Sequence, residues 1–167
     1  MSRASHAIAT FAYIGHLRPA PGTWGSAAAI PLAWVLHGVG GFPALAAATL
    51  IVAGLGWWAV TAELDGRTDQ DPSEIVIDEV LGQWIALWPV SAGLWQAGVD
   101  PWVFPYPGWV GAFLMFRLFD IWKPGPVGWA DRKPGAVGVM LDDAIAGVMA
   151  GVVVLLAAGL AHGVLMR

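Results

Sequence analysis

Charge is scarce in this sequence and gathered into a few places, and that distribution constrains the fold more than any other feature. Asp, Glu, Lys and Arg make up 12% of the 167 residues, about half the share usual for a soluble domain, and mean hydropathy is +0.65. Five apolar segments lie between the charged stretches: 25–38, Phe42 to about Ala62, Ile75 to about Trp95, about Gly108 to Trp122, and Ala144 to about Gly163. A hydrocarbon core of about 30 Å needs about 20 apolar residues per helix. Irregular backbone cannot face lipid, so each crossing must be helical. The expectation is a single domain over residues 1–167, all-α, a helical integral membrane protein with four or five membrane segments. The first segment is short and carries Pro31; the third carries Pro89, where a kink is expected. The start, "MSRASHAIATFAYIGHLRPAPG", reads as an interfacial or re-entrant segment rather than a signal peptide, because its apolar run is broken and no small-residue cleavage site follows.

Threading five crossings in order puts residues 1–24, 63–78 and 117–143 on one side of the membrane. That side holds seven of the eight Lys and Arg residues, with Arg167 opposite, and, with Glu79 at its edge, eleven of the twelve acids, with Asp100 opposite. Positive charge favours the cytoplasm, so the charged face is expected to be cytoplasmic. Many of the eleven Trp residues fall near segment ends, as an interfacial aromatic belt requires. The absence of cysteine excludes disulfides, thiolate metal sites and a Cys nucleophile. No basic face exists for nucleic acid. The histidines at 6, 16, 37 and 162 share no metal-ligand spacing along the chain.

Three charged clusters meet on the cytoplasmic face: "DPSEIVIDEVLGQW" from Asp71, "FRLFDIWKPGPVGWADR" from Phe116, and "GVMLDDAIAG" from Gly138. Arg117 and Asp120 are three apart on one helical face, which Lys123 continues until Pro124. Gly82 lies four residues after Asp78, and Gly147 and Gly151 repeat that spacing after Asp143, so small residues allow close helix packing behind the acids. Asp142 and Asp143 are expected at a helix N-terminus, where negative charge is favourable. Each residue singly could be a cap or an ion pair. Together, the like-charged pairs Asp78–Glu79 and Asp142–Asp143 repel unless a cation lies between them. All-oxygen ligation suits Mg²⁺, and Arg117, Lys123 and Arg132 are suited to holding a phosphate. The combination suggests phosphoryl chemistry on a lipid headgroup. The competing classes are a transporter or ion-pathway protein with an acidic site at its cytoplasmic face, and a purely structural membrane subunit.

Four motifs in order, "APGTWGS" (20–26), "IVIDEVLGQW" (75–84), "FRLFDIWKPGPVGWADR" (116–132) and "GVMLDDAIAG" (138–147), make the chain similar to the phosphatidylglycerophosphatase A family over about residues 13–151. The sequence departs from the family at a glycine pair reduced to Gly15 with Tyr13, and at Gly135-Ala136; both are expected in loops. The resemblance implies Mg²⁺-dependent hydrolysis of the terminal phosphate of phosphatidylglycerophosphate, giving phosphatidylglycerol at the bacterial inner membrane. It implies Asp78, Glu79, Asp142 and Asp143 as metal ligands, and Asp120 as a ligand or general base. Arg117, Lys123 and Arg132 would neutralise the transferring phosphoryl group. Thr23 and Ser26, with the "PGTWGS" backbone, would add hydrogen bonds to phosphate.

Overall fold

The computed structural model describes residues 2–165, with side chains to residue 161, and these are helical with no strand. The elements are α1 (Arg3–Ala9), a 3₁₀ turn (Ile14–His16), α2 (Pro21–Leu64), α3 (Ile77–Gln96), α4 (Tyr106–Trp122), α5 (Pro126–Asp131) and α6 (Gly135–Leu165). Arg167 and His162 lie outside the residues whose side chains are described.

The long α2 is two helices joined by a reversal. Gly40 (φ −146°, ψ 18°) and Gly41 (φ 63°, ψ −159°) leave the helical region, and the Gly41 conformation is one that only glycine adopts without strain. Pro43 follows within the first turn of the second half, where its missing N–H is no loss. The chain then folds back along its own first half. The Trp84 indole donates to the carbonyl of Ala29 in the first half (2.8 Å), and the Trp88 indole to the Thr49 hydroxyl in the second (3.2 Å). A Cβ on Gly25 would sit 2.9 Å from Val76, and one on Gly56 3.3 Å from Ile77. Both halves therefore reach the start of α3, while Gly38 and Gly41 at the reversal abut Trp102 and Trp95.

Helix α3 is central, packed on α2, α4 and α6. Its Val80, Ala86 and Leu87 are fully buried against Trp109, Ala112 and Phe116 of α4 and Ala146 and Ala150 of α6. The outside is equally apolar: Leu50, Ile51, Leu114, Val152, Leu155, Leu156 and Leu160 are all exposed. Contiguous apolar surface on this scale marks contact with another phase or partner. By length and composition two described helices, α2 and α6, could cross a membrane, and their most apolar windows are only 17% and 28% buried within the molecule. A soluble core helix would be mostly buried.

Several expectations are corrected. Helix α6 begins at Gly135, so Asp142 and Asp143 lie two turns inside it rather than at its N-terminus, beyond the reach of the helix-end charge. Helix α4 stops at Trp122, and Lys123 is its left-handed cap (φ 49°, ψ 53°) instead of a continuation of the Arg117–Asp120 face. Outside these corrections, the amino-terminal segment forms a short helix with a capping box at Ser2 and Ser5, docked on the end of α2 and the approach to α3. The span count of four or five is not given by helix length and apolarity, which pick out two.

Candidate active site

The site forms where α3 and α6 touch backbone to backbone. A Cβ on Gly147 would overlap the Gly82 carbonyl oxygen and lie 3.0 Å from the Gly82 Cα, and one on Gly82 would lie 2.5 Å from the Asp143 carbonyl oxygen. This crossing sets Asp78 and Glu79, one turn before Gly82, level with Asp143, one turn before Gly147. One carboxylate oxygen from each of Asp78, Glu79 and Asp143 lies within 4.8 Å of the others. Asp78 and Asp143 are buried, at 8% and 3% exposure. Glu79 Oε2 and Asp143 Oδ2 have no hydrogen-bond partner. Buried acceptors in that state are rare and call for an explanation.

Helix α4 supplies the cation on one side. Arg117 Nη1 lies 2.6 Å from Asp120 Oδ2 and 3.9 Å from Glu79 Oε1, and 3.4 Å from the Ser26 hydroxyl. Ser26 is fully buried and donates to the Gly22 carbonyl (2.7 Å), which ties α2 to this wall. Gly22 is itself a close approach, since a Cβ there would overlap Glu79 Oε1. Lys123 supplies the second cation. The left-handed cap turns its ammonium back toward α5 and α6, where it donates to Asp131 and, at 2.8 Å, to Asp142 Oδ2. Partial burial alone would lower the Lys123 pKa, but the bonds to Asp131 and Asp142 and their charge outweigh it and hold the pKa above the ordinary lysine value.

These groups line a cavity of about 430 Å³ together with Pro21, Gln70 and Ser73. Asp78, Glu79, Asp120, Asp142, Asp143, Arg117 and Lys123 all face it. The four acids named as ligands do not act alike. Asp78, Glu79 and Asp143 gather, whereas Asp142 is engaged by Lys123. Ser26 stands behind the wall, on Arg117. Thr23 and Arg132 are not among the lining residues; Arg132 is exposed, directed at α5 with Nη1 3.6 Å from a Cβ on Gly128. Its neighbours Asp131 and Lys133 line the cavity instead, with the Lys133 ammonium 4.3 Å from the Trp129 ring centre.

The 65–76 loop forms one wall through Gln70, Asp71 and Ser73; sequence reasoning placed Asp71 in a charged cluster but gave it no role, and did not single out Gln70 or Ser73. Burial raises the Asp71 pKa, and its neighbours Lys123, Asp131 and Asp120 act on it across the cavity. The density of acids in "DQDPSE" was the available signal.

Donor chemistry can be tested against a metal. Three carboxylates, two of them with orphaned buried oxygens, and no nitrogen or sulfur donor match a hard dication such as Mg²⁺. The two fixed cations beside them match a phosphate monoester.

Comparison with known proteins bears on the phosphate half of this reading. The family model for phosphatidylglycerophosphatase A matches residues 7–158. The chain is 33% identical to phosphatidylglycerophosphatase A of Escherichia coli (strain K12) over 89% of this chain and 80% of that protein. It is 33% identical to phosphatidylglycerophosphatase A of Haemophilus influenzae, over 89% of this chain and 85% of that one. A Bacteroides thetaiotaomicron protein provisionally named phosphatidylinositol-3-phosphatase is 38% identical over 77% of each chain. No solved structure is significantly similar. The protein is a phosphatase, and the chain belongs to the phosphatidylglycerophosphatase A family.

Proposed function

We propose that the protein hydrolyses the terminal phosphate monoester of phosphatidylglycerophosphate to phosphatidylglycerol and inorganic phosphate, with Mg²⁺, at a membrane surface. One observation carries the reading: a triad of carboxylates with unpartnered oxygens opens on the same cavity as two cations already aimed by acids of their own.

Asp78, Glu79 and Asp143 would hold the Mg²⁺, which when bound supplies Lewis-acid polarisation and neutralises phosphate charge. Arg117 and Lys123 act on the phosphoryl oxygens. Asp120 fixes the guanidinium, and Asp131 with Asp142 fixes the ammonium, so neither cation needs to reorganise as charge builds up. Asp120 accepts a hydrogen bond from the attacking water and holds its proton. The water oxygen bonds to phosphorus, the bond from phosphorus to the glycerol oxygen breaks, that oxygen leaves as the alcohol after taking up a proton from solvent, and Asp120 returns the water's proton to solvent. Ser26 keeps Arg117 and α2 in register, and Gly22 leaves room for the Glu79 carboxylate.

The membrane reading follows from the outer surface and the fold-back of α2. The two halves of α2, with α3, α4 and α6, make five apolar segments that alternate in direction along the chain, with the charged mouth at one end. We take these as the membrane crossings, with the mouth on the cytoplasmic side of the bacterial inner membrane, where a lipid headgroup would enter. The transporter alternative has no supporting feature among the described residues, because the acids of the site cluster at the mouth. The test is phosphate release by purified protein from phosphatidylglycerophosphate in detergent micelles, with the lipid product separated by chromatography. Formation of phosphatidylglycerol in step with phosphate is expected; release of neither would refute the assignment.

A further inference from the structure

A second polar cluster lies on α1 and the end of α2, apart from the cavity residues. Glu63, with a side chain 2% exposed, accepts from the Ser5 hydroxyl (3.0 Å), from Arg67 Nη2 (3.4 Å) and from His6 Nδ1 (3.0 Å). With its Nδ1 proton given to Glu63, His6 turns the lone pair of Nε2 outward. That atom faces Nε2 of His16 at 3.1 Å, and the Tyr13 ring stacks on His16 with centroids 6.0 Å apart. Both imidazoles can be reached from solvent: the His6 side chain is 25% exposed and His16 is exposed.

An imidazole with one nitrogen fixed by a buried carboxylate and the lone pair of the other turned outward is the arrangement of a metal-ligating histidine. Two imidazole nitrogens on one tetrahedral ion, each about 2.0–2.1 Å from it, lie about 3.3–3.4 Å apart. The observed separation needs only a few tenths of an ångström of adjustment in an exposed side chain. We infer that His6 and His16 form a second metal site, for a borderline transition-metal dication such as Zn²⁺, with Glu63 as the group that orients His6. Nitrogen donors select such an ion over Mg²⁺, so the two sites differ in kind. Without the ion, His16 Nε2–H donates to His6 Nε2. On binding, the ion takes that position, and the His16 proton moves through solvent to Nδ1 of the same ring.

An ion there would clamp α1 to the 3₁₀ turn. Both press on the segment leading into Asp78: the Val76 N–H donates to the Ala9 carbonyl (2.9 Å), and Gly15 is in tight contact with the Glu74 backbone. The site therefore steadies the entry to α3 from behind.

The experiment uses the full-length, tag-free protein in detergent, with Mg²⁺ in large excess to occupy the carboxylate triad, and titrates Zn²⁺ by calorimetry. Wild-type protein should show a binding isotherm that His16→Ala lacks and that Glu63→Gln weakens by about 10- to 100-fold. Identical Zn²⁺ isotherms for wild type and His16→Ala would overturn the proposal, leaving the two rings as hydrogen-bond partners only. If Glu63→Gln does not fold, Cu²⁺ electron spin resonance replaces it. Coupling to two imidazole nitrogens in wild type and one in His16→Ala supports the site, and equal spectra overturn it.

Discussion

Replacing Gly147 by alanine tests whether the α3–α6 contact is what builds the site. The added Cβ would overlap the Gly82 carbonyl oxygen and lie 3.0 Å from both the carbonyl carbon and the Cα. All three atoms are backbone, so no side chain can rotate away, and the helices must separate by roughly 1 Å to restore ordinary contact. Overpacking of this kind costs about 1–3 kcal/mol, and the better helix propensity of alanine returns at most about 1 kcal/mol. The fold should survive with a lowered thermal midpoint. The separation carries Asp143 away from Asp78 and Glu79, however, and a displacement of about 1 Å in a catalytic constellation can cost about 100-fold in rate. The expected result is a near hundred-fold fall in kcat/KM for phosphate release in micelles. Gly54→Ala is the control, since a Cβ there meets nothing within 4 Å; it should match wild type in activity. A Gly147→Ala protein with wild-type kcat/KM would refute the reasoning.

Other outcomes follow from the same geometry. Chelator-treated protein should lose phosphatase activity and regain it with Mg²⁺; full turnover in excess chelator would remove the metal from the account. Lys123→Ala deletes one charge-assisted contact, worth roughly 1.5–3 kcal/mol, and should lower the specificity constant by about 10- to 100-fold, whereas Arg132→Ala should fall much less because that side chain lies off the cavity. Asp100→Asn, at the opposite end of the bundle, should stay within the usual surface effect of about 0.5 kcal/mol on stability and leave turnover unchanged. Reporters inserted in the 66–72 loop and in the 97–105 loop should report cytoplasm and periplasm respectively; the same side for both would break the five-crossing arrangement.

Much of the site was legible because its signals are local. Asp78 with Gly82 and Asp143 with Gly147 are four-residue spacings, and a helix converts each directly into an acid above a close contact. The Arg117–Asp120 pair is likewise a helical neighbour pair, and it forms at 2.6 Å. The break between the first two apolar segments was visible too, since the segments end at residue 38 and resume at Phe42, and the adjacent pair Gly40-Gly41 between them marks a turn. What escaped depended on distant parts of the chain or on helix phase. The pairing of Asp142 with Lys123 requires α5 to bring the end of α4 against α6. Once it does, an acid can sit two turns inside an apolar helix, so taking the acids to mark the start of α6 misplaced that boundary. Arg132 was preferred over Asp131 and Lys133 because the type of charge can be read from sequence, but which residue of a triplet at a helix end faces the cavity cannot. The Ser5, His6 and Glu63 cluster joins the two ends of a fold-back, and no spacing along the chain announces it.

The most direct measurement compares wild-type protein with Asp143→Asn for turnover of phosphatidylglycerophosphate at saturating Mg²⁺, with thermal midpoints recorded for both. Asp143 joins the carboxylate triad and reaches it only through the α3–α6 contact. The amide keeps the size of the side chain but removes the charge that a dication needs. The account predicts a folded variant whose turnover is lower by orders of magnitude and is not restored by more Mg²⁺. A folded Asp143→Asn protein that releases phosphate at close to the wild-type rate would contradict it and place the chemistry elsewhere.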